Sequence, residues 1–284
     1  MKEKLIKNIE ALVKQEDYSD TFLDSVKVFY STKSLNKHKV IYKNCIIIVG
    51  QGYKNLYLND IKYKYGDSDY LIVPATLPLE CETSASKENP FYAIIIEIDL
   101  KILESIKNAL DSSNINSHKE IIYTSNLTDS MMEASSRLLE VLQSKEKSYL
   151  FADGLLKELY YYILKESNTN VLYNLLDDNS TLSRLHKSLN YIYANLDKDI
   201  SIELLAENCG MSVATYYRHF KQLTKKAPLQ LIKETKLTKA KDLIENQNYK
   251  ANQAAFAVGY QSYSQFSREF KRMFNTLPKE SIVK

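Results

Sequence analysis

The quartets Arg218-His219-Phe220-Lys221 and Arg268-Glu269-Phe270-Lys271 repeat one arrangement at an offset of 50 residues. Pro228 and Pro278 each stand seven residues beyond the Lys. A guanidinium in such a position takes guanine in a bidentate contact or holds a phosphate. Upstream, Ala206 with Gly210 is echoed by Ala255 with Gly259, and the second copy carries one extra residue before its Arg. Two related units in tandem follow from this pattern, and their polar residues suit recognition rather than bond-making.

Each unit reads as helix, turn, helix. Ile202 to Asn208 forms a short amphipathic helix, Cys209-Gly210-Met211 turns, and Ser212 caps the next helix, which runs to about Leu223. Gly tolerates the left-handed backbone that closes a helix, and Ser accepts a hydrogen bond from the first free amides of the next. Tyr216, Phe220 and Leu223 share one face by helical spacing, which leaves Val213, Ala214, Tyr217, Arg218 and Lys221 towards or around the other. In the second unit Asn252 to Val258, a turn at Gly259-Tyr260 and Ser262 to Phe274 repeat the plan. There Phe266, Phe270 and Met273 face inward, and Tyr263, Ser264, Gln265, Ser267, Arg268 and Lys271 remain for contact. Between the units a long helix from Pro228 through Glu245 is expected, with Leu229, Ile232, Leu237, Ala240 and Leu243 inward.

Charge supports a polyanionic partner for this region. Residues 181–284 hold 17 Lys and Arg against 9 Asp and Glu, a net +8, whereas residues 1–180 carry −5 of the total +3. Lys221, Lys225, Lys226, Lys271 and Arg272 fit phosphate contacts or solvated charges better than base readers. An ordinary surface ion pair is the competing account of a single Arg; two Arg in one repeated context weaken it.

The first half has a different grammar. From Val26 to Asp99 the runs VKVFYS, CIIIVGQG, KNLYLND, IKYKYGD, DYLIVP, LECETS and FYAIIIEID are short, β-branched and aromatic, with turn residues between them. They indicate a sandwich or barrel. Asn59-Asp60 and Gly66-Asp67 are candidate tight turns, and Pro74, Pro78 and Pro90 mark strand ends. Two amphipathic helices are expected at Leu127–Lys145 and Tyr149–Lys165, and the segment from Ser167 to Thr181, rich in Asn, Asp and Ser, reads as a linker. Met1–Gln15 reads as a short amphipathic helix without the apolar core of a signal peptide, and no run approaches the roughly 20 apolar residues of a membrane span. A soluble, cytoplasmic protein without membrane partners is expected.

Enzyme chemistry finds little support on this barrel. The histidines are His38, His118, His186 and His219, so none falls between Lys39 and Ser117, where a metal triad would be assembled. There is no Gly-rich phosphate loop, no nucleophile elbow and no paired carboxylates. No catalytic residue, metal or cofactor is expected. Cys45, Cys81 and Cys209 have no paired spacing, which suggests buried thiols; a reactive Cys81 is a side hypothesis without a group to activate it. Two further readings stay open: a barrel-based small-molecule enzyme with a helical accessory domain, and a protein whose helix-turn-helix units bind protein only.

Residues 18 to about 108, with IIIVGQGYKNLYLNDIKYKYGDSDYLIVPATLPLECETSASKENPFYAIIIEIDL at their centre, resemble the cupin-like N-terminal domain of AraC-type regulators. ISIELLAENCGMSVATYYRHFK, KLTKAKDLIE and AFAVGYQSYSQFSREFKRMFNTLP closely resemble the AraC/XylS DNA-binding domain. The resemblance implies an α+β chain: a cupin-like β-barrel with flanking helices, then an all-α domain with two helix-turn-helix units. It implies a DNA-binding transcription regulator, by family habit an activator that works with RNA polymerase on promoter DNA. The barrel interior is where an effector would sit, and the following helices either pair two subunits or pack on their own barrel. The matching base-contact positions are Ala214, Tyr217 and Arg218, then Tyr263, Ser264, Gln265, Ser267 and Arg268. Two departures stand out: Lys225 and Asn275 occupy positions where Gly commonly closes the recognition helix, and Ala214 offers only apolar contact, such as against a thymine methyl. The expected layout is an N-terminal helix at 1–17, the barrel at 18–108, helices at 109–167, a linker at 168–181 and the DNA-binding domain at 182–284, with its units at about 202–223 and 251–274.

Overall fold

In the computed structural model, residues 1–109, 122–166, 170–177 and 180–281 are described; His118 lies outside them. The chain divides into two compact units. The first comprises residues 1–183 apart from 39–42 and 76–79, and the second comprises those two short segments with residues 184–284.

The first unit begins with α1 (Lys2–Glu10), followed by β1 (Asp17–Asp20), β2 (Val26–Ser31), β3 (Leu35–Tyr42), β4 (Cys45–Gln51), β5 (Tyr53–Leu58), β6 (Ile61–Gly66), β7 (Asp69–Val73), β8 (Leu77–Ser84) and β9 (Phe91–Glu97). Then come α2 (Leu100–Lys107), β10 (Tyr123–Asn126), α3 (Asp129–Val141), α4 (Lys145–Glu166) and α5 (Val171–Leu175). The strands form two sheets, ordered β1-β2-β9-β4-β7-β10 and β3-β8-β5-β6. Alternation assigns the two faces of the larger sheet. Val26, Val28, Ile46, Ile48, Ile72, Ile94 and Ile96 pack with Leu5 and Ile9 of α1, Leu103 of α2, Leu138 of α3 and Leu156 of α4 in one core. Their neighbours Phe29, Ile47, Val49, Leu71, Phe91 and Ala93 are also buried, on the opposite face. Burial on both faces is why the CIIIVG run of β4 is continuously apolar. The Tyr160 hydroxyl fastens α4 to the end of β9, donating to the Glu97 carbonyl at 3.0 Å and accepting from the Asp99 amide at 3.0 Å.

Several expectations are corrected here. Three strands lie outside the apolar runs: β1, β3 and β10. β10 also lies beyond the expected end of the barrel at residue 108 and pairs with β7. β3, LNKHKVIY, is polar because it is an outer strand of its sheet and buries no residue fully. The turn expected at Gly66-Asp67 is shifted by one: Gly66 ends β6, and Ser68 takes the left-handed conformation at φ 62°. Asn59 does so as expected, at φ 53°. The supposed linker contains α5, whose Val171, Leu172 and Leu175 are buried in the core of the first unit.

The second unit holds α6 (Thr181–Ala194) from Arg184 onwards, then α7 (Ile202–Asn208), α8 (Val213–Thr224), α9 (Pro228–Asn246), α10 (Ala251–Ala257) and α11 (Tyr263–Phe274). α9 starts with Pro228 in its first turn, as expected. Its inward stripe is Pro228, Leu231, Ile232, Thr235, Leu237, Thr238 and Ala240, so Leu229, expected inward, is instead 56% exposed. Buried His186 on α6 is held down to about 4, by desolvation first and by the nearby Lys187 second. Its unfolded value is about 6.5. The unfolded chain therefore takes up a proton before the folded one, and stability is lost as pH falls from about 6.5 towards 4. We expect roughly 3 kcal/mol of acid destabilisation from this residue, read as a falling urea midpoint that His186→Gln flattens.

Candidate nucleic-acid interface

Both helix-turn-helix units are assembled by the same local rules. The Ser201 hydroxyl caps α7 by accepting from the Leu204 amide at 3.1 Å, and Ser212 caps α8 through the Thr215 amide at 3.3 Å. Gly210 closes the turn at φ +61°, while the amide of Met211 donates to the Ala206 carbonyl at 3.0 Å. In the second unit Gly259 has φ +77°, Tyr260 donates its amide to Ala255 at 3.0 Å, and Ser262 caps α11 through the Gln265 amide at 3.3 Å. Both recognition helices thus begin at a Ser that follows a turn with a left-handed Gly.

The inward faces fix each helix. Tyr216, Phe220 and Thr224 are the buried stripe of α8, with Leu223 only half-buried, and Tyr216 shares a hydrogen bond of 2.7 Å with Ser188 on α6. Cys209 is also tied to α6, its thiol donating to the Arg184 carbonyl at 3.3 Å. α11 buries Phe266 and Phe270 against Leu237, Ala240 and Leu243 of α9 and Ala254 and Ala255 of α10; Met273 is half-buried beside them. The Tyr260 hydroxyl donates to Glu269 at 2.8 Å, and Lys233 of α9 lies 3.5 Å from the same carboxylate. Burial raises the Glu269 carboxyl, but the hydrogen bond from Tyr260, that from Gln265 and the Lys233 ammonium outweigh it, and the group sits below its usual range. Sequence reasoning missed this brace; Glu269 looked like an unremarkable position between Arg268 and Phe270.

The outward faces hold the expected candidates. Val213, Ala214, Arg218 and Lys221 of α8 and Ser264, Gln265, Arg268 and Lys271 of α11 are exposed, while Tyr217, Tyr263 and Ser267 are half-buried. Tyr263 leans on Phe266, ring centroids 6.0 Å apart, so part of it belongs to the core. Gln265 donates to Glu269 at 3.3 Å, which orients its amide. Lys226, grouped above with the phosphate contacts, is half-buried and paired with Glu234 of α9, so its charge is partly neutralised in place. Each recognition helix therefore offers a polar, cation-bearing face opposite a fixed apolar one.

Lys225 and Asn275 close their helices in the left-handed region, both at φ 58°. At the first, the Thr224 hydroxyl bridges the Phe220 carbonyl at 2.8 Å and the Lys226 carbonyl at 3.0 Å, which holds the strained bend. Lys225→Gly should raise stability by up to about 1 kcal/mol by removing the Cβ clash, and a urea titration measures it.

No group of three His, Cys, Asp or Glu among the described residues is placed to hold a metal. All three cysteines are buried and form no disulfide; Cys81 is 2% exposed, and burial pushes Cys45 up to about 12. No helix among the described residues is long and apolar enough to cross a membrane.

Paired helix-turn-helix units on one rigid spacer helix define a DNA-binding regulatory protein. Residues 23–171 match the model for the AraC-type transcriptional regulator N-terminus, and residues 205–281 match a helix-turn-helix domain model. The chain belongs to the AraC-type family of transcriptional regulators. That family is one of regulators rather than enzymes, which sets aside the barrel-based enzyme. Relatives include the HTH-type transcriptional activator Btr of Bacillus subtilis, 34% identical over 34% of this chain and 18% of its own. Another is the HTH-type transcriptional regulator AlkR of Acinetobacter baylyi, 33% identical over 34% of this chain and 31% of its own. The similarity thus spans less than a third of each relative's length. In fold, the chain is similar to wild-type ToxT of Vibrio cholerae bound to an unsaturated fatty acid: TM-score 0.61, 16% identity, 94% of this chain and 96% of that one. The match supports the expected order of a β-rich domain with helices followed by an all-helical domain.

Proposed function

We propose that this chain is a cytoplasmic activator that reads promoter DNA with α8 and α11, senses an effector in its barrel and contacts RNA polymerase when bound. The observation that carries the reading is the pair of outward faces, Val213, Ala214, Tyr217, Arg218 and Lys221 against Tyr263, Ser264, Gln265, Ser267, Arg268 and Lys271. They are joined by a 19-residue helix. Such a helix is about 28 Å long, comparable to the roughly 34 Å between successive major grooves on one side of B-DNA. Arg218 and Arg268 act as base or phosphate contacts, Gln265 as an oriented amide donor, and Ala214 and Val213 as apolar contacts.

Tyr149, Leu150 and Phe151 at the start of α4 are 90%, 60% and 55% exposed. An apolar triplet of that size beside the groove formed with Lys4, Arg137 and Glu140 of the same unit suits a second copy of the chain. Phe151→Asp should shift a dimer to monomer in sedimentation; a wild-type monomer at all concentrations removes this part of the proposal. The experiment for the main reading is binding of the purified chain to promoter fragments across a salt series. DNA binding through several phosphates predicts a steep fall in affinity with salt. A flat dependence would favour units that bind protein only.

A further inference from the structure

Three groups, from α9, from α11 and from the turn before it, converge on one carboxylate of α11. The Tyr260 hydroxyl donates to Glu269 Oε2 at 2.8 Å, Lys233 Nζ lies 3.5 Å from Oε1, and the Gln265 amide donates to Oε1 at 3.3 Å. Tyr260 is itself fixed. It is buried, its ring meets that of Phe266 edge-on with 5.3 Å between centroids, and its amide donates to the Ala255 carbonyl. The carboxyl is held below its usual range against the opposing effect of burial. Of the three groups, Gln265 alone is exposed on the outward face of a recognition helix, in its first turn, where such a helix meets base edges. The first unit is built differently: Thr215 and His219 stand at the equivalent positions, and the Thr215 hydroxyl accepts from the Ser212 cap at 3.0 Å.

The chemistry of this brace fixes how the Gln265 amide is presented. A carboxylate has no proton to give, so the end of the amide turned to Glu269 is the NH2 group. One N–H is spent there. The other N–H and the carbonyl oxygen, a donor and an acceptor on one side chain, are left for a partner outside the chain. That pair matches adenine in the major groove, which offers the N7 acceptor beside the N6 amino donor. Guanine shows two acceptors on the same edge, cytosine a donor, and thymine an acceptor beside a methyl group. A glutamine able to turn its amide over could offer one end to any of them. With its nitrogen tied to Glu269 it offers a single arrangement, already ordered before DNA arrives. Tyr260 and Lys233 suffice to fasten Glu269 to the domain; the bond to Gln265 adds an orientation to an exposed side chain.

We propose that Gln265 reads an adenine through N7 and the N6 amino group, and that Glu269, held by Tyr260 and Lys233, is the positioning residue that makes this contact discriminating. The inference rests on the reading of α11 as a DNA reader and specifies the base it takes. Gln265 donates its remaining N–H to N7 and accepts from the N6 amino group. Arg268, three residues along the same helix face, takes a neighbouring base or phosphate.

The test uses the full chain and the duplex it enriches from a random-sequence library, with each adenine in turn replaced by 7-deazaadenine, which keeps base pairing and lacks N7. Wild type is expected to lose roughly two- to tenfold in affinity at one such adenine, and roughly 5- to 150-fold when that A·T pair becomes G·C. Gln265→Ala should be indifferent to both changes there and keep its preferences elsewhere. The double variant Tyr260→Phe, Glu269→Ala, which leaves no buried hydroxyl unpaired, should lose most of the preference at that pair. It should bind random-sequence duplex no more weakly than wild type, since a negative charge is removed. Tyr260→Phe alone should show the same change in smaller measure. A brace that only holds the helices together would instead weaken every duplex alike and leave the base preferences intact. The proposal is overturned by that pattern, by a site in which no adenine responds to the loss of N7, or by a response that survives in Gln265→Ala. Enrichment of no duplex at all would overturn the regulatory reading and this inference with it, whereas an enriched site without such an adenine removes this inference alone.

Discussion

Replacing Arg268 by Ala should weaken binding to a cognate site by about 1 to 3 kcal/mol, a loss of roughly 5- to 150-fold at matched salt. The effect is large because the guanidinium is exposed, lies on the outward face of α11 and has no partner among the described residues, so it is free to face DNA. Arg218→Ala on α8 should lose a similar amount, and the two losses should add, because the two side chains stand on different helix-turn-helix motifs. The pattern across sequences separates two roles. If Arg268 reads a base, the loss is confined to sites carrying that base; if it holds a phosphate, affinity falls uniformly and the salt slope drops by about 1. Competition titration against a panel of single-base variants distinguishes them. Unchanged affinity would remove Arg268 from the interface.

Gly259→Ala should be the most damaging single substitution in the turn regions. A Cβ there would lie 2.7 Å from the carbonyl oxygens of Leu196 and Asp197, backbone atoms that cannot swing away, and φ is +77°. Strain and clash together should cost several kcal/mol and displace α11, whose Phe266 and Phe270 pack against α9 and α10. Gly210 is the internal control. It has φ +61°, but its nearest neighbour would be the end of the Arg184 side chain at 3.8 Å. Gly210→Ala should therefore lose only about 1 kcal/mol, from backbone strain alone. Urea unfolding of both variants gives the comparison; equal losses would mean that the contact at Leu196 and Asp197 is relieved elsewhere.

The difference between those two glycines shows how far the sequence could be read. Both turns, their Ser caps and the apolar stripes at Tyr216, Phe220, Phe266 and Phe270 follow from local rules: a residue type at a helix end, a period of three to four. The division of α8 and α11 into an apolar inward face and a polar outward face was legible for the same reason. The Leu196 carbonyl beside Gly259, the Ser188 hydroxyl on Tyr216 and the Lys233–Glu269–Tyr260 brace come from residues distant in sequence, and no local pattern encodes them. Leu229 illustrates the opposite error, since a Leu next to a buried Pro228 was expected inward, but the helix turns it to solvent. In the barrel, the apolar strands were legible, whereas β3, whose outer position leaves its residues partly exposed, carries a polar sequence.

The most direct test of the central claim is genome-wide selection of DNA fragments by the purified chain, with wild type compared against an Arg218→Ala, Arg268→Ala double variant. The account predicts a recurrent site in wild type with two blocks of preferred bases about one helical turn apart, lost in the double variant. Enrichment of the same site by both proteins, or of no site by wild type at moderate salt, would contradict it.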